Sequence, residues 1–157
     1  MGAQPAYDDD FYAWTQEQAR LLRAASSERI NTPIDWEHVA EELESMGRSD
    51  LRAVNSHFAC IIEHLLKLEF SPTTEPRGGW RRTVREQRAS ALDALSDSPS
   101  LRGKIDLVLI FRRGRGFAMD GLGQDRVDEA DLPALCPCSL KDILNEDWWP
   151  ASRHGLA

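Results

Sequence analysis

The chain has 157 residues, 41% hydrophobic and 29% charged, a composition that suits one globular domain with one core and leaves no room for two of ordinary size. Nineteen Lys and Arg against 26 Asp and Glu give a net charge of −7, which argues against overall attraction to nucleic acid or an anionic membrane. The charge is uneven, with 6 basic and 14 acidic residues in 1–76, 10 and 4 in 77–115, and 3 and 8 in 116–157. A basic middle between acidic ends is expected to be neutralised by neighbouring segments rather than left as an anion-binding patch.

Three cysteines, Cys60, Cys136 and Cys138, are odd in number and too closely spaced at the end for a disulfide framework. They suit a reducing cytoplasm. The first ten residues carry no cationic leader and no apolar stretch, and Ala6 breaks the myristoylation pattern that Gly2 would open. The longest apolar run, Leu107 to Phe111, falls far short of the ~20 residues that span a bilayer. A soluble cytoplasmic protein without cofactor or membrane contact is expected.

The first helix is expected over about residues 9–26, behind Asp8-Asp9-Asp10, with Phe11, Trp14, Leu21, Leu22 and Ala25 near one face. Ser26-Ser27 and Asn31-Thr32-Pro33 end it. Asp35 caps a second helix whose inward positions are Trp36, Val39, Ala40, Leu43 and Met46, with Gly47 as its left-handed C-terminal residue. A third, from about Ser49 to Phe70, carries Leu51, Val54, Phe58, Ile61, Leu65 and Leu68 at alternating steps of three and four, the stripe of a bundle core.

Glu75-Pro76-Arg77-Gly78-Gly79 predicts a loop, and Trp80 opens a fourth helix that buries Val84, Ala91 and Leu95. Ser98-Pro99 starts a fifth, with Leu101, Ile105, Val108 and Leu109 inside. The glycines at 114, 116, 121 and 123 predict fraying beyond Phe111, since each costs about 1 kcal/mol relative to Ala in a helix. Residues 125–137 are expected to cross the surface as a loop. Ser139 and Asp142 form a capping-box-like pair before a short last helix that ends near Pro150.

His57, Cys60 and His64 share one side of the third helix and are the nearest approach to a metal site. Seven residues put the two histidines about 10 Å apart along the axis, too far for one ion, so packing histidines are the adopted reading. Asp35-x-x-His38 is half of a di-metal bundle motif whose second half is missing, and Glu37, Glu41, Glu42 and Glu44 read as a solvated acidic face. Arg81, Arg85 and Arg88, at i, i+4 and i+7, form a guanidinium stripe that is the candidate anion or partner contact. With Trp80 alone beside it the stripe is poorly equipped to stack bases, and pairing with acids such as Glu41 or Glu44 is expected. Cys136-Pro137-Cys138 is a weak redox motif, and no phosphate loop, dinucleotide fingerprint or nucleophile elbow occurs.

Several blocks stand together: Tyr7-Asp8-x-Asp10-Phe11-Tyr12-Ala13-Trp14-Thr15, Asp35-Trp36-Glu37-x-Val39-Ala40-Glu41-Glu42-Leu43-Glu44-Ser45-Met46-Gly47 and Glu63-His64-Leu65-Leu66-Lys67-Leu68. Trp80-Arg81-x-Thr83-Val84-Arg85-Glu86-Gln87-Arg88, Asp97-Ser98-Pro99-Ser100-Leu101 and Asp147-Trp148-Trp149-Pro150 follow in order. The combination resembles a bacterial family catalogued as domain-of-unknown-function family 29, from Tyr7 to Pro150. The resemblance implies a compact α-helical domain and no activity, so no catalytic residue is carried over; Gly114 and Gly116 depart from the continuous helix it implies there.

The expected fold is all-α, a single-domain bundle of about five to six helices over residues 1–157 with its ordered core at about 7–150. The expected function is a non-catalytic protein-interaction module, bound to an unidentified protein partner or to itself. The alternative is a small enzyme, for example a phosphate-ester hydrolase, with a site between the acidic second helix, His64 and the arginine stripe. Trp148 and Trp149 are expected to anchor the C-terminal segment.

Overall fold

The computed structural model describes residues 4–28 and 33–157. The expected break at Asn31-Thr32 and the Gly2 position lie outside the described residues. Among the described residues five α-helices run in chain order: α1 (Phe11–Ser27), α2 (Trp36–Phe70), α3 (Arg77–Asp97), α4 (Leu107–Leu122) and α5 (Leu140–Leu144), with 3-10 turns at Pro99–Lys104 and Glu129–Asp131. No strand occurs among the described residues, so the fold is all-α. None of these helices is long and apolar enough to cross a membrane.

The chain forms two compact units, one of Met1–Ala53 with Ala94–Lys104, the other of Val54–Asp93 with Ile105–Ala157. In the first unit Asp10 caps α1 by accepting from the Ala13 N–H at 2.9 Å, and the same carboxylate accepts from the Ser100 N–H (2.7 Å) and hydroxyl (2.8 Å). Ser98, expected to cap a helix of its own, instead accepts from the Tyr12 N–H at 3.0 Å. The segment after it is a 3-10 turn that buries Leu101; the next α-helix begins only where Asp106 accepts from the N–H groups of Val108 and Leu109.

The second and third expected helices are one helix of 35 residues. Gly47 does not end it. A Cβ at position 47 would lie 2.6 Å from the Thr15 hydroxyl and 3.2 Å from the Tyr12 ring, so this glycine is what lets α1 approach α2 closely. The buried register of α2 in this unit is Ala40 and Gly47, and the small residues of α1, Thr15 and Ala19, are fully buried. Val39 and Met46, expected inside, are 43% and 48% exposed.

In the second unit the predicted stripe holds from Val54 on: Val54, Phe58, Ile61, Leu65 and Leu68 are all buried, joined by Ile62 and Leu66, whereas its first member, Leu51, is half-buried. The expected fraying of α4 does not occur. Its Gly114 sits against α2, where a Cβ would come within 2.7 Å of the Ala59 carbonyl oxygen and 2.8 Å of Ile62. The helix therefore buries Ile110, Phe111, Ala118 and Leu122 on one side, while Val108 and Leu109, expected inside, are exposed. Arg115 ties the acidic segment to α4 by donating to the Pro133 and Glu129 carbonyls at 3.1 and 2.9 Å and to the Glu129 carboxylate at 2.6 Å. Buried Leu132 and the complete Ser139–Asp142 capping box of α5 fix the rest.

Candidate functional site

Three places in the second unit carry the chemistry that the sequence singled out. The first is the arginine stripe of α3. Its guanidinium groups converge on the ring of Trp149, with Arg88, Arg81 and Arg85 at 4.8, 4.9 and 5.5 Å from the ring centre. Arg88 is fully buried and donates to the carbonyl oxygens of Ile143 (2.7 Å) and Trp148 (2.9 Å), with the Glu146 carbonyl at 3.5 Å. Burial pushes its ionisation down, and the Glu146 carboxylate opposes that shift.

The expected pairing of this stripe with Glu41 or Glu44 is corrected. Glu44 is held by Arg23 and Arg48, and Glu37 also takes Arg23, at 2.9 Å. Carbonyls, not carboxylates, satisfy Arg88, because a five-donor fork can cap a turn of backbone that has lost its helical partners. About three turns earlier Arg77, 5% exposed, repeats the device on the Leu68 and Ala157 main-chain oxygens, both at 2.9 Å. Trp148 and Trp149 are half-buried and thus held in place by α3.

The second place is the polar row of α2. His57 leaves the expected trio, its Nδ1 donating to the Gln87 side-chain oxygen at 2.7 Å. Cys60, Glu63 and His64 bring one ligand atom each within 4.8 Å of one another, a set that the spacing of the histidines does not mark. The Cys-x-x-Glu-His spacing is the signal that could have shown it. These donors are engaged, however: the His64 Nδ1 donates to the Cys60 carbonyl at 2.9 Å, and Lys67 holds the Glu63 carboxylate at 2.5 Å. Burial and Glu63 push the Cys60 thiol up, against the thiolate a metal requires. Of the groups that the hydrolase alternative names, His64 and Glu44 have partners of their own, while Glu41 and Glu42 stand exposed.

The third place is Cys136-Pro137-Cys138. The chain bends at Pro137 and Cys138 and brings the two sulfurs to 3.1 Å, both residues half-buried at an apolar cleft with Ile62, Leu65, Phe111, Trp148 and Pro150. Either thiol can donate across this distance, and the shared hydrogen bond lowers the Cys136 pKa to about 7 and raises that of Cys138.

Elsewhere, in the first unit, a cleft of about 450 Å³ is lined by Tyr7, Phe11, Asp8, Asp50, Asp97 and Ser98. Burial, with Asp97 nearby, pushes the Asp50 carboxyl up.

The geometry defines an α-helical protein whose second unit carries an arginine-clamped C-terminal strap. The family model described as "Domain of unknown function DUF29" matches residues 6–149, and the chain belongs to that family. It is similar to the crystal structure of an alpha-helical protein of unknown function from Rhodospirillum rubrum, at 33% identity over 93% of each chain and a TM-score of 0.82. No curated protein matches.

Proposed function

We propose that the protein is a helical interaction module of the bacterial cytoplasm and that its docking surface is the outer face of α4. One observation carries this reading: exposed apolar side chains and arginines without acidic partners share that face. Val108, Leu109 and Phe117 are 55%, 57% and 42% exposed, and among the described residues neither Arg112 nor Arg113 makes an ion pair. Positions 108, 112 and 116 and positions 109, 113 and 117 are adjacent i+4 rows, so these residues are neighbours on one helix surface. Gly116 lies among them with open space where a Cβ would stand.

The occupant this face fits is an acidic amphipathic helix, and the chain carries one: the exposed Val39, Glu42 and Met46 of α2, with Asp35 one turn before. Leu109 and Phe117 are about 12 Å apart along their helix with the arginines between, and Val39 and Met46 about 10.5 Å apart with Glu42 between. Apolar ends meet apolar ends and guanidinium meets carboxylate, so a second copy of the chain is the partner we assign. A contact of one helix face is smaller than the ~1,600 Å² of a standard interface, so the association is weak and salt-dependent. The three free cysteines agree with a reducing compartment.

The test is sedimentation velocity on the whole chain across concentration and salt. Self-association is expected for the wild type, and not for Arg112→Glu with Arg113→Glu or for Glu42→Lys alone. A mixture of those two variants restores it. A wild type that stays monomeric, or association indifferent to both reversals, overturns the reading.

A further inference from the structure

The α4 face makes no use of the two thiols of the C-terminal strap, and their arrangement is unlike that of the third cysteine. Cys60 has its sulfur 3.7 Å from the His64 Nδ1 and a thiol that burial keeps protonated. Cys136 and Cys138 face each other at 3.1 Å, about 1 Å more than an S–S bond, with no backbone element between them other than Pro137. We propose that Cys136 and Cys138 are a peroxide-responsive dithiol, in which Cys136 takes the oxidant and Cys138 resolves the product into an intrachain disulfide.

The chemistry balances with hydrogen peroxide as the oxidant. The Cys136 thiolate attacks one peroxide oxygen, the O–O bond breaks, and the departing hydroxide takes a proton and leaves as water. Cys136 is then a sulfenic acid, oxidised by two electrons. The Cys138 sulfur attacks the Cys136 sulfur, the S–O bond breaks, and the Cys138 proton leaves with the hydroxyl as a second water. Two thiols and one peroxide become one disulfide and two waters.

Three features assign the roles and the oxidant. Cys136 is assigned as the attacking sulfur: with the Cys138 sulfur at 3.1 Å its pKa is drawn down to about 7, which gives it substantial thiolate near neutral pH, while Cys138 holds its proton until it resolves the sulfenic acid. Access sets the size of the oxidant. On the cleft side, walled by Phe111, Trp148 and Pro150, the space beside the sulfurs holds about 20 Å³, room for a molecule on the scale of water, so this approach favours a small oxidant over a peptide disulfide. Neighbouring charge supplies the third: the Asp142 carboxylate disfavours both thiolates, so the sulfur–sulfur contact itself is what draws Cys136 toward the thiolate.

The experiment uses the whole reduced chain in a Cys60→Ser background, treated with hydrogen peroxide, with glutathione disulfide in parallel. Mass spectrometry is expected to show loss of two hydrogens, peptide mapping to place a Cys136–Cys138 bond, and dithiothreitol to reverse it, with glutathione disulfide reacting far more slowly. In Cys138→Ser, a sulfenic acid persists at Cys136 and is trapped by dimedone. In Cys136→Ser, peroxide consumption falls at least tenfold. The alkylation rate of Cys136 by iodoacetamide is expected to be half-maximal near pH 7 and to fall about tenfold per unit below it, whereas Cys138→Ala moves the midpoint up. Disulfides between chains, oxidation of Cys136 to sulfinic acid with no bond formed, or equal reactivity toward glutathione disulfide would each overturn the proposal.

Discussion

Two sets of arginines sit on the second unit and meet opposite fates. Those of α3 are drawn inward, with Arg88 fully buried on the carbonyls of Ile143 and Trp148, and Trp149 lying under Arg81, Arg85 and Arg88. Those of α4, Arg112 and Arg113, stand exposed among Val108, Leu109 and Phe117. The residue type is the same and both are on helices. What separates them is a strap with unspent carbonyls: α5 has only five residues, too few to satisfy its own backbone, and it lies against α3. Where backbone acceptors are on offer, arginine becomes a structural clamp; where none are, it remains available to a partner.

The largest test of this contrast is Arg88→Met. The substitution keeps the volume but leaves buried carbonyls without donors, and should cost about 3 kcal/mol, or roughly 10 °C in melting temperature, by calorimetry. Arg88→Lys should recover little, since an ammonium cannot reproduce the fork. If Arg88→Met melts like the wild type, α3's arginines are no more structural than α4's. Next is Trp149→Ala, which removes one ring shared by three cations; about 2 kcal/mol should be lost, with amide exchange in 140–150 rising before that of the α2 core.

Within α4 the same inside–outside contrast applies to two glycines. Gly114→Ala places a Cβ 2.7 Å from the Ala59 carbonyl, a backbone atom that cannot swing away, and should destabilise by about 1–3 kcal/mol. Gly116→Ala meets nothing and should stabilise by about 0.5–1 kcal/mol through helix propensity. Chemical denaturation of the two variants should move midpoints in opposite directions. A common direction would mean that α4 does not press on α2 at Ala59.

Those glycines also show what the sequence could and could not reveal. The α2 stripe from Val54 to Leu68 and the Ser139–Asp142 box were readable because their signals are local: apolar spacing along one helix, and a cap three residues from its partner. Gly47 and Gly114 read as breakers because the atoms that require them, in Thr15 and Ala59, are far along the chain. The same blindness put Val39 and Met46 inside. Ala40 and Gly47 contribute so little hydrophobicity that the register actually buried carries the weaker signal. Arg88's acceptors were invisible for a different reason. Every residue has a carbonyl, so nothing in the letters of 143–148 marks which ones are left unpaired. The Trp148-Trp149 pair was the available sign that something on the bundle waits for them.

The smallest effect is the one that sharpens the contrast most. Arg112→Gln with Arg113→Gln should leave stability within about 0.5 kcal/mol of the wild type, the range of surface positions without a partner. Arg113 lies 5.5 Å from the Phe117 ring and Arg112 touches no acid among the described residues, so only one exposed cation–π contact is lost. Glutamine is nearly as good a helix former as arginine, which keeps propensity out of the comparison. Self-association, by contrast, should weaken in this variant, and its salt dependence should flatten because the screened charges are gone. If the double variant melts several degrees lower instead, α4's arginines also serve as clamps, and the division between an inward and an outward arginine set does not hold.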